Sequence, residues 1–222
     1  MDLATVDHLL TTTRSVRRRL DFTRSVDPSI IERCIAIALQ APTGSNAQGW
    51  HFMVVTDAAK RKALADLYHT AFELYRNAPE EIRQSIPAED PRFAQTQRII
   101  ESAGYLADHL HEAPVLVIPC IDRRVEDAGV LAQASVYGSI LPAVWSFMLA
   151  LRARGLGSAW TTIHIRRERQ MAELLGIPND EWTQAGLFPV AYTIGTEFRP
   201  AERGRAEDVV SWNRWSGEDR SG

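Results

Sequence analysis

Cysteine is scarce: 222 residues carry only Cys34 and Cys120. Two thiols exclude a disulfide framework and a four-thiolate metal centre, and each reads as a buried reduced thiol. Excess positive charge is also missing. Lys and Arg total 25 against 28 Asp and Glu, a net charge of −3. That balance argues against broad electrostatic binding to nucleic acid or to an anionic membrane. The chain has no GxGxxG, no GxxxxGK[ST] and no GxSxG, and Gly155-Leu156-Gly157 lacks the third glycine and follows a helix. His109 and His111 are the one HxH pair, but on a helix they point about 200° apart and cannot grip one metal ion. Paired carboxylates at Glu80/Glu81 and Glu89/Asp90 sit in a polar stretch and read as solvated charge. The opening residues carry Asp2 and Asp7 and no cationic start, a poor secretory or mitochondrial signal, so the expected location is cytoplasmic.

What is present fits one domain. The chain is 45% hydrophobic and 24% charged, ordinary values for a globular protein with a real core. Ala128 to Leu151 contains no charge and is long enough to span a bilayer. It also holds Gln133, Ser135, Ser139, Pro142 and Ser146 and lacks an aromatic belt. It therefore reads as a helix buried in a core or a subunit interface, which points to dimerisation.

Periodicity predicts helices over 4–12, over 28–40 (Asp27 as N-cap, Pro28 at the first turn), over 58–76 and over 92–112. It predicts a long helix over 131–154, kinked at Pro142, and a short one over 167–175 ended by Gly176. Strands are expected at 51–56, 115–121, 158–163 and 187–194. The polar, three-proline stretch 77–91 reads as a surface excursion. Strands are few and helices uneven, so the reading is α+β rather than doubly wound.

Three constellations could carry chemistry. Thr13-Arg14-Ser15-Val16-Arg17-Arg18-Arg19 offers many donors to phosphate oxygens, or is a solvated basic patch. No recognition motif supports its use as a nucleic-acid stripe. The loop Ala41-Pro42-Thr43-Gly44-Ser45-Asn46-Ala47-Gln48-Gly49-Trp50 offers hydroxyl and amide groups to a ligand with many polar edges, such as a polyol. Otherwise those groups cap the loop's own backbone. Arg203-Gly204-Arg205 could approach one anion closely or belong to a solvated tail.

Taken in order, these segments resemble a known family. Arg14-Ser15-Val16-Arg17, the loop 41–50 before a strand, GLGSAW after the apolar helix, LLGIP and RGRAEDVV are similar to the nitroreductase family of flavoproteins, from about Val6 to Trp215. The resemblance implies an α+β fold with a central, mainly antiparallel sheet flanked by helices. It implies a single FMN-binding domain over 1–198 with a variable lid at about 68–100. A C-terminal arm, 199–222, would reach the partner of a homodimer. Arg14, Ser15 and Arg17 match the N-terminal flavin-contacting motif, with Arg17 the candidate cation at the N1/O2 side of the ring. Pro42, Thr43 and Asn46 match the loop that reaches FMN from the other subunit. Thr162 and Ile163 fall where backbone groups meet the flavin N5/O4 edge, and Arg203 and Arg205 match the phosphate-binding pair.

The implied activity is ping-pong transfer of hydride from NADH or NADPH, through flavin N5, to a nitroaromatic, a quinone or another conjugated small-molecule acceptor. No metal, no catalytic side chain, no nucleic acid and no membrane is implied. Three positions depart from the family pattern: Thr13 replaces an arginine, Thr43 a serine and Gly49 a proline. Tyr68, Phe72, Tyr75 and Phe93 are either lid aromatics that stack on substrate or helix-core aromatics. Other reactions of the same fold are flavin fragmentation and reductive dehalogenation, and a flavin-storage or regulatory role is a further alternative. A dehalogenase would need a lid Glu–Tyr–Lys set. Glu73 and Tyr75 are present, but no lysine follows Lys62.

Overall fold

The computed structural model describes residues 2–78, 86–90 and 92–215. The helices are α1 (Leu3–Thr12), α2 (Pro28–Ala38), α3 (Ala58–Asn77), α4 (Phe93–His109), α5 (Val130–Arg152) and α6 (Glu168–Leu175). The strands are β1 (Leu20–Asp21), β2 (Trp50–Val55), β3 (Val115–Asp122), β4 (Leu156–Ser158), β5 (Trp182–Gln184) and β6 (Phe188–Thr193). Helix starts follow local chemistry. The Asp27 carboxylate accepts from Ser29 N at 2.8 Å with Pro28 behind it, and Asp57 accepts from Lys60 N at 2.8 Å. Gly176 ends α6 in the left-handed region, at φ 74°.

All pairings in the sheet are antiparallel. β3 is its centre. β2 flanks one edge along its whole length, and β6 followed by β5 flanks the other. The register slips by one residue between β6 and β5, which makes residues 185–187 a bulge. β4 and the short β1 both extend β6.

Period-two alternation on β3 divides the core. Val115, Val117 and Ile121 face the layer made by α2 and α5. Leu116, Ile118 and Cys120 face the layer made by α3 and α4. Both cysteines are buried. Helix α5 is long and apolar enough to cross a membrane by length and composition, yet half of its most apolar stretch is buried within the protein, where Ile140, Val144 and Phe147 sit in the core.

One expectation needs correction. The strand placed at 158–163 is only Leu156–Ser158. After it Thr161 makes a single bridge to Leu187, and Ile163–Arg167 is a 3-10 turn. The chain leaves the sheet there because it must turn into α6. Of the two readings open for Tyr68 and Phe72, the helix-core one holds: both are buried with Leu64, Ala65 and Ala71 on the inner face of α3. Tyr75 packs against Phe72, with ring centroids 6.2 Å apart. Helix α5 runs through Pro142 without a break. Of the expected excursion over 77–91, residues 79–85 and 91, including Glu80 and Glu81, lie outside the described residues, as do tail residues 216–222.

Candidate functional site

The segment after α1 is fastened beside β4. Val16 N donates to Ser158 O at 2.8 Å and the Val16 side chain is buried. Gly157 makes the approach possible. A Cβ there would lie 2.7 Å from Thr193 Cγ2 and 3.0 Å from Val16 Cβ. With Val16 held inward, Arg14, Ser15 and Arg17 line a cleft of about 760 Å³.

The tail closes the same cleft. Arg19 donates to Ile194 O and Glu197 O, both at 2.8 Å, and Arg152 donates to Thr196 O at 3.0 Å. Both guanidinium groups lie over the Phe198 ring, at 4.2 and 4.6 Å. Arg14 reaches Arg199 O at 3.1 Å. These bonds lay residues 194–200 along the basic segment and bring Arg203 into the cleft.

Four arginines, Arg14, Arg17, Arg98 and Arg203, therefore line one cleft with no Asp or Glu among its lining residues. Trp145, Met148 and Trp160 form its apolar wall. Trp160 is set by a bond from its indole N–H to Ala185 O at 3.1 Å. Gly186 lies under that ring, where a Cβ would come within 2.7 Å of the indole nitrogen. A shallower groove alongside shares Arg14, Ser15 and Arg17, adds Arg18, Arg19 and Arg199, and holds one carboxylate residue, Glu197. Arg17 is the most enclosed of these cations. Burial lowers its pKa from the ordinary value, and the Tyr68 phenol opposes that shift. Its bond is to a neutral group, Ser102 Oγ at 3.4 Å, and it has no ion pair among the described residues.

A second arginine-rich groove, near Arg166 and Arg167, differs in kind. Arg124 is clamped by Glu168 and Glu126, which raise its pKa, and Arg169 meets Asp180 at 3.5 Å. Its charges are largely answered from within.

The other expected site residues lie apart from the cleft. The loop at Pro42, Thr43 and Asn46 rests on the N-terminal half of α5. Gly44 N donates to Ser139 Oγ at 3.0 Å, and Trp50 Nε1 donates to Ser139 O at 3.1 Å. Ser45, Asn46 and Gln48 all have positive φ, near 50°, a costly arrangement for residues with a side chain. Part of the loop's polar chemistry is spent on itself. Thr43 Oγ1 accepts from Gln48 N at 3.3 Å, and Asn46 Oδ1 accepts from the Gln48 amide at 2.7 Å. Met148, on the cleft wall, is nine residues along α5 from Ser139. That is roughly 14 Å of rise and the opposite helix face.

Thr162 opens the 3-10 turn and Ile163 packs against the core; neither lines the cleft. Arg205 is exposed, pairs with Glu207 and lies outside the lining. His164, just past Ile163, is fully buried, and neither ring nitrogen has a hydrogen-bond partner of normal geometry; Gln184 Oε1 is also unpartnered. Burial is the main cause that drives the imidazole pKa down to about 3, so the ring is neutral.

Residues 10–192 match the model of the nitroreductase family. The chain belongs to that family. It is 27% identical over 208 residues to a nitrobenzene nitroreductase of Ectopseudomonas oleovorans, covering 82% of this chain and 84% of the relative. It is 28% identical over 142 residues to a 5,6-dimethylbenzimidazole synthase of Rhodospirillum rubrum, covering 62% and 60%. The solved structure of an oxidized iodotyrosine deiodinase bound to FMN and 3-iodo-L-tyrosine superposes with a TM-score of 0.69 at 21% identity, covering 95% of this chain and 100% of that one. The fold is thus nitroreductase-like, and membership in the family supports a flavin-dependent oxidoreductase.

The nitroreductase cleft of this chain suits FMN on its own chemistry. A phosphate dianion needs cations that carboxylates do not already neutralise, and a flat ring needs an apolar wall. Arg98 and the Trp145–Met148 wall were not singled out in the sequence. An exposed arginine on a polar helix face carries no periodic signal, and Trp145 and Met148 read simply as part of the apolar run.

Proposed function

We propose that this protein is a homodimeric FMN-dependent oxidoreductase that draws electrons from NADH or NADPH and delivers them to a nitroaromatic, a quinone or another conjugated acceptor. The observation that carries this is the acid-free cleft in which four arginines face an indole-and-thioether wall. Arg14 and Arg203 hold the phosphate and Ser15 adds a hydroxyl; charge-assisted bonds of this kind contribute about 1.5–3 kcal/mol each. Arg17 keeps an uncompensated positive charge at the ring edge where electron density gathers on reduction. Trp145, Met148 and Trp160 keep water from the ring. The family resemblance gives the backbone at Thr162 and Ile163 to the opposite edge and Arg205 to the phosphate; none of the three lines the cleft in a single chain, so these roles would require the assembled dimer with its arm seated. When bound, FMN supplies the two-electron chemistry, accepting hydride at N5 and passing it on.

The dimer reading rests on α5. Leu131, Ala134, Gly138, Leu141 and Trp145 recur at alternating spacings of three and four, and Leu131 is 85% exposed and Trp145 38%. Such a stripe packs against another helix. A second copy on this face offers a way to bring its Pro42, Thr43 and Asn46 to the cleft that they do not reach in their own protomer. It also gives the exposed arm residues beyond Arg203 a surface to cover.

The dehalogenase reading loses ground. Glu73 is engaged by Arg76 at 2.7 Å, Tyr75 is packed on Phe72, and Lys62 is tied to Asp66 at 2.6 Å.

The test is FMN titration of the apo-protein, then anaerobic addition of NADH or NADPH and of a nitroarene or quinone. Expected are a bound flavin spectrum, bleaching and recovery, with an FMN Kd raised about a hundredfold by Arg14→Gln with Arg203→Gln. A wild-type protein that binds no FMN overturns the proposal. Bound flavin that neither nucleotide reduces points to storage, and flavin destroyed in air after reduction points to fragmentation.

A further inference from the structure

The cleft holds more positive charge than FMN uses. On the reading above, Arg14 and Arg203 answer the phosphate and Arg17 the reduced ring. Arg98 is left over. It lines the same acid-free cleft and makes no ion pair or hydrogen bond among the described residues.

Its place on α4 ties it to Arg17. Gln95, Arg98 and Ser102 follow at spacings of three and four and present one face of α4 to the cleft. Ser102 is the residue that meets Arg17 Nη1 at 3.4 Å. Arg98 therefore stands one turn, roughly 6 Å, along α4 from the Arg17 contact. Arg14 and the tail that carries Arg203 are joined separately, through Arg199 O. The surplus cation thus sits on the Arg17 side of the cleft.

We infer that Arg98, with Gln95 one turn away, forms a second anion subsite, which takes an oxyanion on the molecule that exchanges electrons with the cofactor. This rests on the FMN reading. Two sources supply that chemistry: a carboxylate on the acceptor, or the 2′-phosphate that distinguishes NADPH from NADH. An exposed guanidinium discriminates modestly, by about threefold to tenfold.

The experiment compares the FMN-loaded wild type with Arg98→Gln and Arg98→Lys. Calorimetry with benzoate, which is not reduced, gives the anion affinity without turnover. Steady-state kinetics give two kcat/KM ratios, 4-nitrobenzoate over nitrobenzene and NADPH over NADH. Arg98→Gln is expected to raise the benzoate Kd about threefold to tenfold and to lower one of the ratios by a similar factor, with Arg98→Lys partly restoring both. A fall in the nitrobenzoate ratio places the anion on the acceptor, and a fall in the NADPH ratio places it on the dinucleotide. Unchanged benzoate affinity with both ratios unchanged overturns the inference while the flavin reading stands. So does an FMN Kd raised tenfold by Arg98→Gln, because Arg98 would then belong to the cofactor's own phosphate set. A wild type without flavin overturns both readings.

Discussion

The phenol of Tyr68 and the hydroxyl of Thr161 meet at 2.9 Å, joining the inner face of α3 to the turn that carries Thr162 and Ile163. Tyr68 is 1% exposed, and burial is the main cause that pushes its pKa up, so it stays protonated at neutral pH. Tyr68→Phe removes this link and leaves the Thr161 hydroxyl short of a partner. The expected loss is about 1 kcal/mol of stability, read as a lower urea midpoint at unchanged slope. An unchanged midpoint would show that the bond is replaced by water.

Gly157 carries a more severe constraint. A methyl group there meets Thr193 Cγ2 at 2.7 Å and Val16 Cβ at 3.0 Å, in a buried strand. Overpacking of this kind costs about 1–3 kcal/mol. Because Val16 fixes Arg14 and Arg17, Gly157→Ala is also expected to weaken FMN binding by about tenfold or more. Weaker folding with normal FMN affinity would separate the two roles and refute the coupling.

Much of this architecture was legible in the residues. Asp27-Pro28 marked the start of α2, and the apolar run 115–121 is the central strand. The basic segment and Arg203 share a cleft. The rest was hidden for physical reasons. β1 and β5 are two and three residues long, too short for a period to show, and they exist only because β6 and β3 offer ladder partners. The expected strand at 158–163 breaks off at Ser158, and Gly157 just before it makes room for Val16, a contact no local pattern displays. Tyr68 and Phe72 continue the four-residue spacing that starts at Leu64 and so follow the core face of α3. Arg98 gains its meaning only from the three arginines that the fold places around it.

His164 gives the stability a pH signature. Its pKa is near 3 when folded against an ordinary 6.5. A depressed histidine means that the unfolded chain binds more protons than the folded one between those values. Stability is therefore greatest above about pH 6.5 and falls as pH drops through the window down to about 3. The slope from this one group reaches at most about 1.4 kcal/mol per pH unit. Urea midpoints at pH 7.5, 6 and 5 should decline more steeply for the wild type than for His164→Gln. Parallel declines would mean that the carboxylates alone cause the acid sensitivity.

The tail poses the last question. Residues 194–200 are fastened to the body of the same chain by Arg14, Arg19 and Arg152. Beyond Arg203 the large apolar side chains of the described residues stand in solvent: Val209 is 72% exposed, Trp212 83% and Trp215 88%. Leaving two indoles and a valine in water forfeits several kcal/mol of burial by area, so a covering surface is favoured even after the cost of ordering the arm. A chain ending at Arg205 keeps both proposed phosphate arginines and removes Val209, Trp212 and Trp215 together with the rest of the arm. Sedimentation of the full chain is expected to give twice the 24.9 kDa mass, and the shortened chain to dissociate at least tenfold more readily. FMN affinity measured above the new dissociation constant should fall far less than for Arg14→Gln with Arg203→Gln. An equally stable dimer without the arm would leave α5 as the whole interface and the exposed tryptophans without a role in assembly.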